Sequence, residues 1–408
     1  MSEPDKSPNA TLRTEAGDAS GAATGGVTVG IQPAVSGIGG RALRPGVRRM
    51  DGLVQTAGSA HETAGALLGG GQRAPGAGGA DGSPFRQAGG GEPYRGPLYD
   101  AEVPPGGYLW WYADGLSDCG RYGIAVIAFV GSVFSPYYAF SGRKDPGNHL
   151  CINVALYTPD NNFWAMTERG RKSSIRTAHH FSVGPSSLDW DGDELVIRFD
   201  EISVPKPPAQ FLPKRIAGSV RFKPASITGE VFDIDANGKH RWWPMGPSGD
   251  IKVVMKDGSG PDWNGHGYMD CNWGTEPIEA GFTRWDWARG TTKDGGSIIV
   301  YDSERRDGTA DILSIRIGPD GKISRIAAPK KTKMPRAFWG VARYGHHDEG
   351  VVPKLVKTLE DGPFYTRSVI DTVIDGEPVQ LMHEGLSGTR FASPIVKGML
   401  AFRMPRRG

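Results

Sequence analysis

The sequence predicts a mostly-β fold, on three observations. Apolar residues recur with a period of two in short segments, as on half-buried strands. Asp-Gly and Asn-Gly pairs stand between the segments and supply the positive φ angles that tight hairpins need. Helical periodicity sustained over ~12 residues is hard to find.

Each part of the chain supports this in turn. Residues 1–91 hold 22 of the 60 Gly and one aromatic, Phe85, whereas 37 Phe, Trp and Tyr lie in residues 92–408. Without bulky apolar side chains the first segment cannot offset the entropy of ordering, so residues 1–95 are expected to be a disordered Gly/Ala-rich tail. Its basic patch, residues 41–49, is read as solvated, with contact to anionic lipid as the alternative. Order is expected from Gly96. Residues 123–133 form a strand candidate, and 149–157 place Leu150, Ile152, Val154 and Leu156 on one face. Residues 194–199, 218–224 and 229–233 continue the series, and 297–302, 310–317 and 322–327 form another. Turn signals fall at Gly192, Gly238, Gly258, Gly295, Gly308, Gly321 and Gly376, each after Asp or Asn. The best short helix, residues 131–140, is broken by Pro136 on this reading. A Gly/Pro cluster in 250–262 suggests two β-domains, 96–255 and 256–408, each the size of a small barrel able to hold an apolar ligand.

Composition excludes several classes. Lys plus Arg is 47 and Asp plus Glu 45, a net charge of +2 that makes no case for nucleic acid. No stretch approaches the ~20 apolar residues of a membrane span. No apolar leader is expected at the N-terminus. Three cysteines without CxxC spacing, Cys119, Cys151 and Cys271, read as reduced thiols in a cytoplasmic protein. Nucleophile-elbow, phosphate-loop, zinc-protease and dinucleotide motifs are absent. The pairs His179-His180 and His346-His347 read as polar turns rather than metal sites, because adjacent strand residues face opposite ways.

Tryptophan is the unusual signal. Eleven are present, clustered at Trp110-Trp111, Trp242-Trp243, Trp263, Trp273, Trp285 and Trp287. Most Trp in a β-protein fill core, but two clusters adjoin titratable groups. One is His240-Arg241-Trp242-Trp243; the other runs from Trp263 to Trp273. In the second, Tyr268, Asp270 and Asn272 share a strand face, joined by His266 if the strand reaches that far. Such a face either looks into solvent or holds a carboxylic acid kept neutral by an apolar pocket.

The runs Trp110-Trp111-Tyr112-Ala113-Asp114-Gly115-Leu116-Ser117-Asp118, Gly131-Ser132-Val133-Phe134-Ser135-Pro136-Tyr137-Tyr138 and Trp263-Asn264-Gly265-His266-Gly267-Tyr268-Met269-Asp270 resemble the acyclic carotenoid 1,2-hydratases, or hydroxyneurosporene synthases, of photosynthetic bacteria. The resemblance covers residues 96–408 and implies two lipocalin-like β-barrel domains. It implies a hydro-lyase that needs no cofactor and no metal. Water adds across the terminal C1=C2 bond of lycopene, neurosporene or a related acyclic carotenoid, giving a 1-hydroxy product. The family's site residues match Asp270, His240, Tyr268 and Trp242. Trp243, His266, Trp110 and Trp111 are the further substrate-binding candidates, since either indole of each pair could face the pocket.

On this reading neutral Asp270 protonates C2, aromatic faces stabilise the tertiary cation at C1, and water attacks. His240 or the new Asp270 carboxylate takes the released proton. The expected partners are the carotenoid and water, with peripheral contact at the photosynthetic inner membrane. The alternatives are an apolar-ligand carrier, which has no reason to bury Asp270 and His240, and a related two-β-domain cyclase. Should Asp270 not be the acid, Asp114, Asp118 and Asp262 are the next candidates.

Overall fold

The computed structural model describes residues 96–408 except 257 and 259. The predicted tail, its basic patch and Asp257 of one predicted turn lie outside the described residues. Strands dominate, as expected, and gather into two large sheets of 14 and seven strands among the described residues. The first sheet places Leu150–Tyr157, Gly123–Val130, Tyr108–Ser117, Trp263–Gly274, His240–Met255, Lys214–Pro224 and Leu195–Ser203 side by side. The second runs Ala310–Ile317, Ser297–Arg305, Phe282–Thr291, Glu377–Ser387, Tyr365–Ile374 and Lys354–Asp361.

Three apolar cores follow from the two faces of each sheet. One gathers Trp111, Trp243, Phe181 and Phe222 with residues from both wings of the first sheet, which therefore curls around it. The second lies between the sheets and contains Trp110, Trp242, Tyr268, Trp285, Trp287 and Tyr301. A smaller third covers the far face of the second sheet with Ala288, Ile298, Val300 and Leu381. The central strands are therefore buried on both sides. In Leu150–Tyr157 the predicted face does point one way, yet Cys151, Ala155 and Tyr157 enter the second core, and all eight residues are buried.

Among the described residues neither sheet closes into a barrel by pairing its outer strands. The first comes near: the Val204 N–H donates to Trp164 O at 2.9 Å, and Arg169 reaches Glu201 at 3.2 Å. Pairing cannot continue there because Pro205, Pro207 and Pro208 follow and offer no N–H donors. The division predicted at 255/256 falls in the loop between His240–Met255 and Trp263–Gly274, which pair with each other. The chain changes sheet only after Gly274.

Local signals fared variously. Asp375 and Gly376 both have positive φ, 55° and 74°, and close the hairpin of Tyr365–Ile374 with Glu377–Ser387. Pro136 starts a helix rather than breaking one. It opens Pro136–Phe140, and the Ser135 side chain caps it by accepting the Tyr138 N–H at 2.9 Å. His346 and His347 belong to the strand Tyr344–His347, not to a polar turn; His346 is buried with Nε2 3.1 Å from Asp302 Oδ2. The three cysteines are free thiols. Among the described residues no helix is long and apolar enough to cross a membrane.

Candidate functional site

The strand Trp263–Gly274 lies in the middle of the first sheet, paired on one side with Tyr108–Ser117 and on the other with His240–Met255. Register then assembles the site. Tyr268, Asp270 and Asn272 sit opposite Asp114, Tyr112 and Trp110, and Asn272 also faces Trp242. With their alternate neighbours these residues form one face, turned toward the second sheet. From that sheet Trp285, Trp287, Tyr301 and Glu384 complete a cavity lined also by Trp110, Tyr112, Asp270 and Asn272. Its volume is about 30 Å³, which suits a water molecule.

Asp270 is buried at the cavity wall. Its Oδ2 accepts the Tyr268 hydroxyl at 2.8 Å and the Trp242 indole N–H at 2.9 Å. Its Oδ1 is buried without a hydrogen-bond partner. Burial pushes this carboxyl up to about 8. The two donors pull it down, and the charges of Glu384 and Asp114 add to the rise. Asp270 is therefore mostly neutral at pH 7, on the wall of an aromatic cavity. Tyr268 is itself raised well above 10 by burial, so its hydroxyl remains a donor. Rings enclose the group: Trp287 stands 5.3 Å from Tyr268 and 5.6 Å from Tyr112, and Tyr301 5.6 Å from Trp242.

The other expected residues divide. Trp110 lines the cavity, whereas Trp111 and Trp243 point into the first core, bonded to Pro97 O at 2.8 Å and Thr228 O at 2.9 Å. His240 shares the face of Trp242 but sits opposite Gly274, four residues beyond Asp270, roughly 13 Å along a strand. It does not line the cavity. Its Nδ1 is 2.9 Å from the Tyr108 hydroxyl, and its Nε2 3.5 Å from Glu276 Oε1. Burial lowers its pKa against the opposing pull of Asp235 and Glu276. Glycine makes room for this pair: a Cβ at Gly281 would lie 2.5 Å from the His240 Nε2, and one at Gly274 2.5 Å from the Tyr108 ring. His266 continues the alternation of Tyr268 and Asp270 but is exposed, 3.9 Å from Asp118.

Of the residues around the cavity, Asp114 was expected only as an alternative acid, and Glu384 had no sequence signal of its own. Asp114 is wholly buried, accepts the Tyr112 hydroxyl at 2.7 Å and pairs with Arg289, whose guanidinium lies 5.7 Å from the Tyr268 ring centre. Glu384 enters from the second sheet with Arg367 behind it. Trp285 and Trp287 could have been found from their even spacing on one strand. The other candidate acids lie outside: Asp118 is at the surface, and Asp262 accepts the Met255 N–H beside the 256–262 loop at 2.8 Å.

The family model described as "Carotenoid hydratase CrtC" matches residues 126–408. The acyclic carotenoid 1,2-hydratase of Thiocapsa roseopersicina is 43% identical over 382 residues, 93% of this chain and 92% of the relative. That of Rubrivivax gelatinosus is 43% identical over 384 residues, 93% of each. Among solved structures, one described as AttH of Nitrosomonas europaea has a similar fold, with a TM-score of 0.50 at 13% identity, over 73% of this chain and 98% of that one.

Proposed function

The chain belongs to the carotenoid hydratase family, and from that premise we propose that it adds water across the terminal C1=C2 bond of an acyclic carotenoid with Asp270 as the acid. One observation carries the assignment: a buried carboxyl, mostly neutral at pH 7 and with one oxygen unpartnered, on the wall of a cavity lined by indole and phenol rings.

A trisubstituted alkene is a weak base, so protonation needs a neutral acid fixed beside it. Asp270 transfers its proton to C2, and the positive charge forms at tertiary C1. The faces of Trp110, Trp285, Trp287 and Tyr301 are placed to stabilise that charge by roughly 0.5–2 kcal/mol each when desolvated. Tyr268 and Trp242 then stabilise the Asp270 carboxylate by the hydrogen bonds they already donate. Water closes the reaction at C1 and loses a proton. No electron is transferred at any step, so the chemistry is complete without a cofactor. His240 acts in this scheme by positioning Tyr108, which stacks on Trp110 at 4.9 Å. The terminal group of the polyene is larger than the cavity, so its entry parts the side chains between the sheets.

The same reading treats the sheets as two open lipocalin-like units, the first curled almost to closure. It places the protein in the cytoplasm with peripheral contact at the membrane that dissolves its substrate. The short helix Pro394–Leu400 supports that contact. It turns Val396 and Leu400 inward and leaves Ile395 and Met399 exposed, beside exposed Phe402. Residues 388–408 contain five Lys or Arg and no acid, which suits an anionic bilayer.

Incubation of the purified chain with lycopene or neurosporene in detergent, in ¹⁸O-labelled water, tests the assignment. One labelled oxygen per hydrated end is expected, and unchanged or cyclised carotenoid would refute it.

A further inference from the structure

The cavity has two carboxyl groups on opposite walls, and their surroundings differ. Asp270, on the first sheet, accepts from two neutral donors and, among the described residues, has no cation bonded to it. Glu384, on the second, faces a guanidinium. Arg367 donates to its Oε1 through Nε at 3.0 Å and Nη2 at 2.6 Å. Arg367 is wholly buried, and its Nη1 reaches Glu360 at 2.8 Å and the Tyr157 hydroxyl. The rings of Tyr112, Tyr157 and Tyr365 surround it at 5.6, 5.9 and 5.6 Å. Such a cation cannot lose its proton and is held in place from several sides. It holds the Glu384 side chain in place at the wall across from the acid.

Hydration needs both kinds of group: a neutral one to give a proton to C2 and an anionic one to take a proton from water. We propose that Glu384, positioned by Arg367, is the base that accepts the proton of the attacking water. This rests on the hydratase reading above. The step balances. Asp270 loses its proton as the C2–H bond forms and the C1=C2 π bond breaks. A water oxygen bonds to C1 while its proton passes to the Glu384 carboxylate. Transfer of that proton back to the Asp270 carboxylate through solvent in the emptied cavity restores both groups. Among the described residues no His lines this cavity, whereas Glu384 does. Two carboxyl groups with opposed environments in one site are the usual mark of an acid and a base.

The two half-reactions can be read separately in deuterated water at about pH 6, where Asp270 is protonated. Protonation at C2, rotation about the C1–C2 bond in the cation and loss of the original hydrogen to the Asp270 carboxylate exchange the hydrogen at C2 of the recovered alkene, and capture by water yields the hydroxy product. Glu384→Gln should lower hydration at least about 10²-fold while exchange at C2 continues. Asp270→Asn should lower both at least about 10²-fold. Glu384→Asp retains the charge but withdraws the oxygen, and should lose at least about tenfold in hydration with exchange retained. That variant keeps the test open should Glu384→Gln not fold. Hydration by either variant at the wild-type rate would overturn the inference. So would joint loss of exchange and hydration in a protein with native near-ultraviolet dichroism. A wild-type protein that neither exchanges nor hydrates would refute the hydratase reading and this inference with it. Wild-type hydration with an unaffected Glu384→Gln would refute this inference alone.

Discussion

Asp270→Asn changes one hydroxyl to an amino group and leaves the shape of the site. The amide oxygen can still accept from Tyr268 and Trp242, as Oδ2 does at 2.8 and 2.9 Å. What disappears is the transferable proton. Hydration should fall by ~10²–10⁴, the range of a general acid, with folding and carotenoid binding kept. With the carboxyl at about 8, roughly nine-tenths of wild-type molecules carry the proton at pH 7 and about one-tenth at pH 9. The wild-type rate should therefore be flat near pH 7 and fall about tenfold per unit above pH 8, and the variant should lack that limb. Stability follows the same titration. The folded pKa lies above the ordinary value of 3.8, so between about 4 and about 8 the folded state holds the proton more tightly than the unfolded one. The contribution of Asp270 is complete below pH 4 and is lost as pH rises toward 8. At ~1.4 kcal/mol per unit the loss is bounded at about 6 kcal/mol. Urea unfolding at pH 6 and pH 8.5 should show the wild type losing stability that Asp270→Asn retains. Labelled-water turnover from pH 5 to 10 is the companion assay. Near wild-type hydration by Asp270→Asn, or an alkaline limb persisting near pH 8 in it, would refute the assignment. Buried Asp114 would then be the first residue to examine, since Asp118 lies at the surface and Asp262 caps a loop.

Tyr268→Phe removes a donor that lowers the Asp270 pKa, so the rate should drop while the alkaline limb moves above pH 8; a limb that stays in place would show that the bond is immaterial. Arg367→Met leaves Glu384 and Glu360 without their shared cation and should cost about 3–5 kcal/mol in denaturant unfolding, with a change under about 1 kcal/mol contradicting the buried network. Ile395→Ser with Phe402→Ser should reduce co-sedimentation with anionic phosphatidylglycerol vesicles at least about tenfold without altering turnover in detergent; equal binding would remove this face as the membrane contact.

Much of this was readable in the chain. Alternation and Asp-Gly pairs mark most strands and turns, because the side-chain period and the positive-φ requirement are local. Period two also puts Tyr268 and Asp270 on one face, and the structure keeps them there with a hydrogen bond between them. Other local signals misled. Pro136 can start a helix as well as end one, and a Gly/Pro cluster marks any sharp turn, so residues 256–262 close a hairpin within one sheet.

The choice between adjacent indoles was out of reach for a physical reason. Trp110 and Trp111, like Trp242 and Trp243, lie on strands buried on both faces. Hydrophobicity is then equal on the two sides, and only the arrangement of sheets decides that Trp110 and Trp242 face the second sheet and their neighbours the first core. His266 shows the complement: its alternation with Asp270 is intact, yet it is exposed. By itself the sequence determined the β character, the shared face of Tyr268 and Asp270, and the chemistry those side chains permit, since each depends on residue type and on spacing along one strand. Tertiary structure alone decided which face is the site, how far it extends, and that Glu384 and Arg367 belong to it. Those two lie more than ninety residues from Asp270, and only packing one sheet on another brings the second carboxyl to the same cavity.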